Sequence, residues 1–509
     1  MSEDKIASIV ERVVSRLDQG GIGNLGRRSV SPATPTQVSS LVSSVTPAQV
    51  NPPHGCGPRS GDSANRRQNY GRGELGRGVF SDIDSAVVAA REAFVSYSGL
   101  GLGARYRIVD EIRRECRKHV DELARLAVDE TGLGRFDQKQ IKNRLVIDKT
   151  PGPEILEPWA KSGDDGLTLE EYAPYGVIGA ITPTTNPSET IICNGLGMIA
   201  AGNAVVFNAH PSAKRVSVYT VQIINDAIVR AGGPANLLCC TAEPTIESAQ
   251  QLMTHPGIRL LVVTGGPGVV KAALVSGKKC IAGGPGNPPV VVDETADIEA
   301  AGAGIVKGVA LDNNIVCTAE KEIIAVATIA DDLKQSLNRN GAYELSPLEV
   351  AKVEKLVVHE GHAVKEWVGQ DIQKILGKVG IRAPQGTLIA YAEVPENHPF
   401  IQSELLMPVT GLVRVSSARE AIEMAVRCEH GNGHTAGMWS KNIDHLHMMA
   451  RLINTSIFIK NAPFYAGLGL GGEGYTSFTI ASPTGEGLTT ARDFSRARRC
   501  TLSEHFRIV

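Results

Sequence analysis

The sequence predicts an α/β protein of two successive domains, each built on a parallel sheet covered by helices. Three observations predict it. The chain has 509 residues, 42% hydrophobic and 21% charged, a balance that suits two or three packed domains. From residue 177 to 282, short apolar runs alternate with amphipathic helical ones, the rhythm of βαβ units. That rhythm starts afresh at "PPVVVD", residues 288 to 293.

The elements follow in order. Residues 3 to 18 place Ile6, Ile9, Val10, Val13, Val14 and Leu17 at helical spacing, opposite Glu11, Arg12, Ser15 and Arg16. This predicts an amphipathic helix with no core of its own: an interaction peptide or, alternatively, a frayed terminus. A membrane-surface helix fits less well, because the polar face carries both charge signs and the apolar face lacks Trp and Phe. Residues 19 to 77 are rich in Ser, Pro and Gly and predict a flexible linker. The first domain is expected over 78 to 285. Ser81 is expected to cap a helix carrying Ile83, Val87, Ala90 and Phe94, with further helical stretches over 102 to 132. "EPWAKSGDDGLTLEEYAP", about 157 to 174, reads as a hairpin. Strand "VIGAI", a helix from Glu189, strand "AVVFNA", a helix over 213 to 231, strand "RLLVVTG", a helix over 267 to 277 and a short strand "KKCIA" complete it. The second domain is expected over 286 to 470, with strands "PPVVVD", "EIIAVA", "GLVRV" and "SIFIK" and a helix near 297 to 310. Residues 471 to 509 form a tail with no domain of their own.

Charge and cysteines exclude several functions. A net charge of −2 gives no basic field for nucleic acid. No apolar run approaches the ~20 residues of a membrane span, and "MSEDKIASIV" is not a signal-peptide core. The nine scattered cysteines form no C-x-x-C pair, which predicts a reducing cytosol, no disulfide frame and no structural zinc. No metal-ligand spacing occurs.

Cys317 stands in "DNNIVCTAEKE", a polar gap between a helical run and a strand-like run, just past the expected domain boundary. A packing cysteine usually sits inside an apolar segment, whereas a reactive one needs access and polar neighbours. "VVTGGPGVV" sets Gly265, Gly266 and Gly268 between strand and helix, where backbone can approach a phosphate or a nicotinamide; a plain tight turn reads equally well. "VVFNAHPSAKR" ends a strand in Asn208, His210, Ser212 and Lys214, suited to an adenosine half or simply to a capped helix start.

Seven pieces in order, "ITPTTNPSETI", "GNAVVFNAHPSAK", "VVTGGPGVV", "GGPGNPPVVVD", "DNNIVCTAEKE", "HPFIQSELLMPV" and "SPTGEGLTTARDF", resemble the aldehyde dehydrogenase superfamily over residues 78 to 509. More narrowly, they resemble its CoA-acylating branch, the propionaldehyde and acetaldehyde dehydrogenases of bacterial microcompartments. The resemblance implies a Rossmann-type NAD-binding domain, a second catalytic α/β domain, and an oligomerisation hairpin and arm that pair subunits into a dimer or tetramer. The helix over 1 to 18 resembles encapsulation peptides, which implies a shell-protein partner and a place in the cytoplasm inside a microcompartment.

The resemblance also implies roles. Cys317 matches the nucleophile, which forms a thiohemiacetal and then a thioacyl-enzyme. Its backbone N–H and the Asn186 side chain are the oxyanion donors; in "PTTNP" the Asn stands one place later than in the broad family, with Thr185 at the usual position. Thr182, Pro183, Thr184, Asn208, His210, Pro211, Thr264, Gly265, Gly266 and Glu404 are expected to hold NAD, Glu404 at the nicotinamide ribose. No acidic residue ends the "VVFNA" strand, so NAD over NADP rests on the resemblance. Hydrolytic relatives carry a Glu in E-L-G-G-K-x-P; here the stretch reads "IAGGPGNPP", with Ala282 about where that Glu would fall. Without the carboxylate, water is a poor nucleophile and the coenzyme A thiol is expected to take the acyl group. The expected reaction is NAD-dependent oxidation of a short aldehyde, propionaldehyde first, to its acyl-CoA. Acetaldehyde or lactaldehyde as substrate, a CoA-independent dehydrogenase, and a microcompartment cargo or scaffold protein are the alternatives.

Overall fold

The structure, a computed structural model, describes residues 74–509; the expected helix over 3 to 18 and most of the expected linker lie outside the described residues. Glu74–Gly76 already pairs with Val79–Phe80, so ordered backbone begins ahead of residue 78. Asp82, not Ser81, caps the first helix, Ile83–Ser98: its carboxylate accepts the Ser85 N–H at 2.8 Å, and the Ser81 hydroxyl donates to that carboxylate instead. The expected apolar side of this helix packs inward, with Ile83, Val87 and Ala90 buried and Phe94 partly so.

Seven strands form the first sheet, in the order Glu74–Gly76, Val79–Phe80, Leu238–Thr241, Ala204–Asn208, Val177–Ile181, Leu260–Thr264, Cys280–Gly283. Beyond the antiparallel edge pair, all neighbours are parallel. Val177–Ile181 and Ala204–Asn208 are buried throughout, as strands covered on both faces must be. From Val177–Ile181 the chain passes to Ala204–Asn208 on one side, and Leu260–Thr264 lies on the other. Such a reversal of strand order opens a crevice at the strands' carboxyl ends.

The second sheet also has seven strands, all parallel, in the order Ala342–Glu344, Ile389–Glu393, Val409–Val415, Glu322–Val326, Pro289–Val292, Thr435–Trp439, Ile457–Lys460. Five parallel strands escaped the sequence analysis: Val79–Phe80, Leu238–Thr241, Ala342–Glu344, Ile389–Glu393 and Thr435–Trp439. They are short, and several use Ala, Gly or Cys, residues whose strand state is decided by pairing and burial more than by their own preference.

Helix Phe136–Lys149 was also missed, for a different reason. Its buried residues include Lys139, Lys142 and Asn143, so the inward face is charged and shows no apolar period.

The expected hairpin forms as Trp159–Gly163 and Gly166–Pro174, and the tail adds a third strand, Ser495–Ser503. Tail and hairpin pair in register over nine residues, Ser495 opposite Pro174 and Ser503 opposite Gly166. This small sheet is largely exposed, with Trp159 and Leu502 open to solvent. Among the described residues no helix is long and apolar enough to cross a membrane.

Candidate active site

Helix Ile298–Ala310 is capped by the Asp297 side chain and runs into the turn Leu311–Asn314. Asp312, Asn313 and Asn314 have φ of 49°, 53° and 64°, three successive residues in the left-handed region. Asp and Asn tolerate that region better than other side chains, which explains "DNN" at this point. The side chains then lock the turn. Asp312 accepts the Arg135 N–H at 2.7 Å, Asn313 donates to the Gly369 carbonyl at 2.9 Å, and Asn314 donates to the carbonyls of Val309 and Glu320 at 2.9 and 3.0 Å. From the far side Lys321, itself buried, donates to the carbonyls of Asn314 at 2.9 Å and Val316 at 3.3 Å. Cys317 is presented at the end of this braced loop and is half-buried.

Dense surroundings push the Cys317 thiol up to about 12; burial is the main cause and Glu404 adds to it, while Lys321, the Cys317 N–H and Lys142 favour the thiolate. Burial also raises Cys116, Cys240 and Cys428 to about 12, so acidity does not single out Cys317. Two lysine ammoniums acting on its sulfur do. Glu404 is pushed up to about 7 by burial, against the pull of Lys321 and the Gly286 N–H. His434 is driven down to about 4 by burial and by Lys321, so it is neutral at physiological pH. Its Nδ1 lies 2.8 Å from Thr435 Oγ1, and its Nε2 has no partner among the described residues. Gly286 makes this convergence possible: a Cβ there would stand 2.9 Å from the His434 ring and 3.1 Å from the Cys317 carbonyl oxygen.

Cys317, Glu404, Lys321 and His434 therefore share one site. His434 was missed by the sequence analysis, and its signal was faint: a histidine in the polar run "HGNGHT" just before strand Thr435–Trp439. Lys321 was missed because a lysine flanked by two glutamates reads as solvated surface, yet Glu320, Lys321 and Glu322 are all buried. Asn186, the other expected oxyanion donor, is buried at the start of helix Pro187–Ala200, two residues ahead of the expected helix start. Lys142 contacts the Asn186 side-chain oxygen and pairs with Asp312, which ties Asn186 to the turn that leads to Cys317. Ala282 is buried in strand Cys280–Gly283 and donates its N–H to Thr484 Oγ1 at 3.0 Å.

The expected cofactor residues gather at carboxyl ends of the first sheet. Thr182, Pro183 and Thr184 follow Val177–Ile181, while Thr264, Gly265 and Gly266 end or follow Leu260–Thr264, so the two sets flank the crevice. Thr182 Oγ1 is buried there without a hydrogen-bond partner, and a Cβ on Gly266 or Gly268 would meet only open space. An unpartnered buried hydroxyl beside open backbone at a switch point fits a dinucleotide. Thr264 Oγ1 is 2.7 Å from Thr479 Oγ1. Asn208 is buried, and its carboxamide braces neighbouring loops: Oδ1 accepts from Ser248 Oγ at 2.6 Å and Nδ2 donates to the Thr245 carbonyl at 3.4 Å. His210 Nδ1 accepts the Ser212 N–H at 3.1 Å, ahead of the short turn Pro211–Ala213. Elsewhere Asp293, Glu294 and His445 converge, but the Asp293 carboxylate is already bonded by Thr295, Ser440 and His445.

Known proteins resemble this chain in sequence and in fold. The sequence profile of the aldehyde dehydrogenase family matches residues 69–342. The chain is 48% identical over 439 residues to acetaldehyde dehydrogenase (acetylating) EutE of Salmonella typhimurium, covering 85% of this chain and 94% of that protein. It superimposes on the crystal structure of Rhodopseudomonas palustris propionaldehyde dehydrogenase, with bound CoA and an acylated cysteine, at a TM-score of 0.83 and 50% identity, covering 84% and 99% of the two chains. A propionaldehyde dehydrogenase from the Clostridium phytofermentans fucose utilisation bacterial microcompartment gives a TM-score of 0.84 and 47% identity, covering 85% and 100%.

Proposed function

The chain belongs to the aldehyde dehydrogenase family, and we propose that it oxidises a short aliphatic aldehyde, propionaldehyde first, to its CoA thioester with NAD as oxidant. The observation that carries this reading is the make-up of the Cys317 site: a braced cysteine whose thiolate Lys321 and Lys142 favour, a neutral imidazole whose Nε2 has no partner among the described residues, and alanine at the position expected for a water-activating glutamate. The relatives named above support the choice of aldehyde and of coenzyme A.

The chemistry follows from these groups. A thiol held near 12 is protonated at neutral pH, so its proton must pass to solvent before attack; Lys321 and Lys142 favour the resulting thiolate. Sulfur adds to the aldehyde carbon, and the new oxyanion is received by the Cys317 N–H and the Asn186 amide. The nicotinamide, when bound, accepts the hydride. Thr182, Pro183, Thr184, Asn208, His210, Pro211, Thr264, Gly265 and Gly266 are the residues for the dinucleotide, with Glu404 at the ribose. The product of oxidation is a thioester on Cys317. The coenzyme A thiol then attacks that carbonyl carbon, its proton passes to His434 Nε2, and the Cys317 thiolate leaves. Incubation with propionaldehyde, NAD and CoA should yield NADH and propionyl-CoA in equal amounts by mass spectrometry; free propionate as the product rejects the proposal.

Two further properties belong to this reading. The exposed sheet of Trp159–Gly163, Gly166–Pro174 and Ser495–Ser503 is the surface proposed to pair subunits into a dimer or tetramer. Light scattering at micromolar concentration should give a multiple of the 54.0 kDa chain mass, and a monomer rejects pairing. Residues 1 to 18 are proposed to bind a microcompartment shell protein, because an isolated helix of that length is marginal in water until its apolar stripe is covered. A fluorescent protein fused to residues 1 to 18 should enter co-expressed shells, and the Ile9→Glu/Val13→Glu version should stay diffuse. Deleting the segment should leave kcat and KM within about twofold, since an expected linker of roughly 55 residues lies between it and the catalytic body in the sequence. Equal encapsulation of both fusions would make the helix a solvated terminus.

A further inference from the structure

We propose that Lys142 is a positioning residue for the reaction: its ammonium occupies the side-chain oxygen of Asn186 and so aims the Asn186 N–H toward the oxyanion that forms at Cys317. The inference rests on the catalytic reading above and deepens it.

Helix Phe136–Lys149 carries Lys139 and Lys142 one turn apart, and both side chains are fully enclosed. Buried ammoniums are costly unless paired. These two share a pair of equally buried carboxylates. Lys139 Nζ lies 3.1 Å from Asp312 Oδ2, Lys142 Nζ lies 3.4 Å from Glu189 Oε1, and Lys142 also contacts Asp312. Two positive and two negative charges balance. Each component comes from a different part of the site: Glu189 from the helix that follows the "PTTNP" loop, Asp312 from the left-handed turn five residues before Cys317. Gly134, at φ 76°, lets the backbone close on Asp312; a Cβ there would stand 2.2 Å from its Oδ1.

The cluster reaches the oxyanion donor directly. Lys142 donates to Asn186 Oδ1, and Lys139 donates to the Thr185 carbonyl. An ammonium has protons to give and no lone pair to offer. The Asn186 atom that meets it must therefore be the oxygen, and the NH2 group must face away. One of its two protons has a partner in Thr185 Oγ1 at 3.2 Å, which leaves the other to donate. Lys142 also pairs with Asp312, five residues before Cys317, so one ammonium links Asn186 to the turn that presents the cysteine. Remove the ammonium, and nothing in the cluster distinguishes the two ends of the Asn186 amide. A cluster that merely held the fold together would affect stability without regard to Asn186.

The test is the pre-steady-state burst of NADH with saturating aldehyde and NAD, read in a mutant cycle. Asn186→Ala should slow the burst by ~100-fold, the cost of one oxyanion donor. Lys142→Met should slow it at least ~10-fold with NAD affinity within about twofold of the wild type, whereas in the Asn186→Ala background the same substitution should cost less than about threefold more. Should Lys142→Met not fold, the charge-balanced Lys142→Met/Asp312→Asn carries the same measurement. Independent, multiplying effects of the two positions, or a burst in Lys142→Met within threefold of the wild type, overturn the proposal. An Asn186→Ala enzyme with an unchanged burst would instead remove Asn186 from the oxyanion site, and the role of Lys142 with it; loss of NAD affinity in Lys142→Met alone would make the cluster structural and overturn the positioning role.

Discussion

Cys317→Ala is expected to lower aldehyde oxidation by ~10⁴-fold or more, to the level of contaminating enzyme, while NAD binds within about twofold of the wild type. The size of the effect follows from covalent catalysis. Without the sulfur there is no thiohemiacetal from which hydride can leave, and the remaining oxyanion donors have nothing to stabilise. NAD affinity should survive because the expected dinucleotide residues come mainly from the first sheet, whereas Cys317 lies on the loop leading into Glu322–Val326 of the second. The loop should also keep its shape, since Asp312, Asn313, Asn314 and Lys321 hold it without using the sulfur. NADH formation together with NAD affinity by fluorescence checks this. Turnover in the purified variant above background would pass the nucleophile's role to another thiol. Cys428 is a poor candidate, because burial, with Glu322 and Glu396 adding to it, opposes its ionisation.

The second large effect is expected from withholding coenzyme A. With aldehyde and NAD alone, NADH should appear as a single burst of about one equivalent per Cys317 and then stop. Adding CoA should restart it. The thioester on Cys317 persists because position 282 offers a buried methyl group in place of a carboxylate. One carboxylate, Glu404, does stand near the cysteine, and its carboxyl is pushed up to about 7. Stopped-flow absorbance in buffer free of added thiol decides between the two. A plateau near one equivalent agrees with acyl transfer to CoA, and steady NADH production in the absence of any thiol would identify Glu404 as activating water and overturn it. His434→Ala should leave the burst intact and slow the CoA-dependent phase, because the Nε2 proton acceptor serves the second thiol in the proposed mechanism.

The sequence determined by itself whatever depends on local pattern. Apolar runs broken by Gly and Pro located the central strands Val177–Ile181, Ala204–Asn208 and Leu260–Thr264 to within a residue or two, because strands buried on both faces are continuously apolar. The hairpin at about 157 to 174 was legible, and Cys317 stood out by its polar setting between a helix and a strand, while its role came from the resemblance to the family. Tertiary structure alone decided what depends on partners far along the chain. Helix Phe136–Lys149 buries two lysines alongside Leu145, Val146 and Ile147 because Asp312, some 170 residues later, meets them, and no local period records such a pair. Glu320, Lys321 and Glu322 look like surface in the sequence and are interior in the fold, since Lys321 reaches back to the carbonyls of its own loop. His434 joins Cys317 only when Gly286 brings the two loops within contact of one another. Apolar burial repeats with the geometry of a helix or strand and so leaves a trace in the sequence. A buried charge is stable through one specific distant partner, and the folded chain alone supplies it.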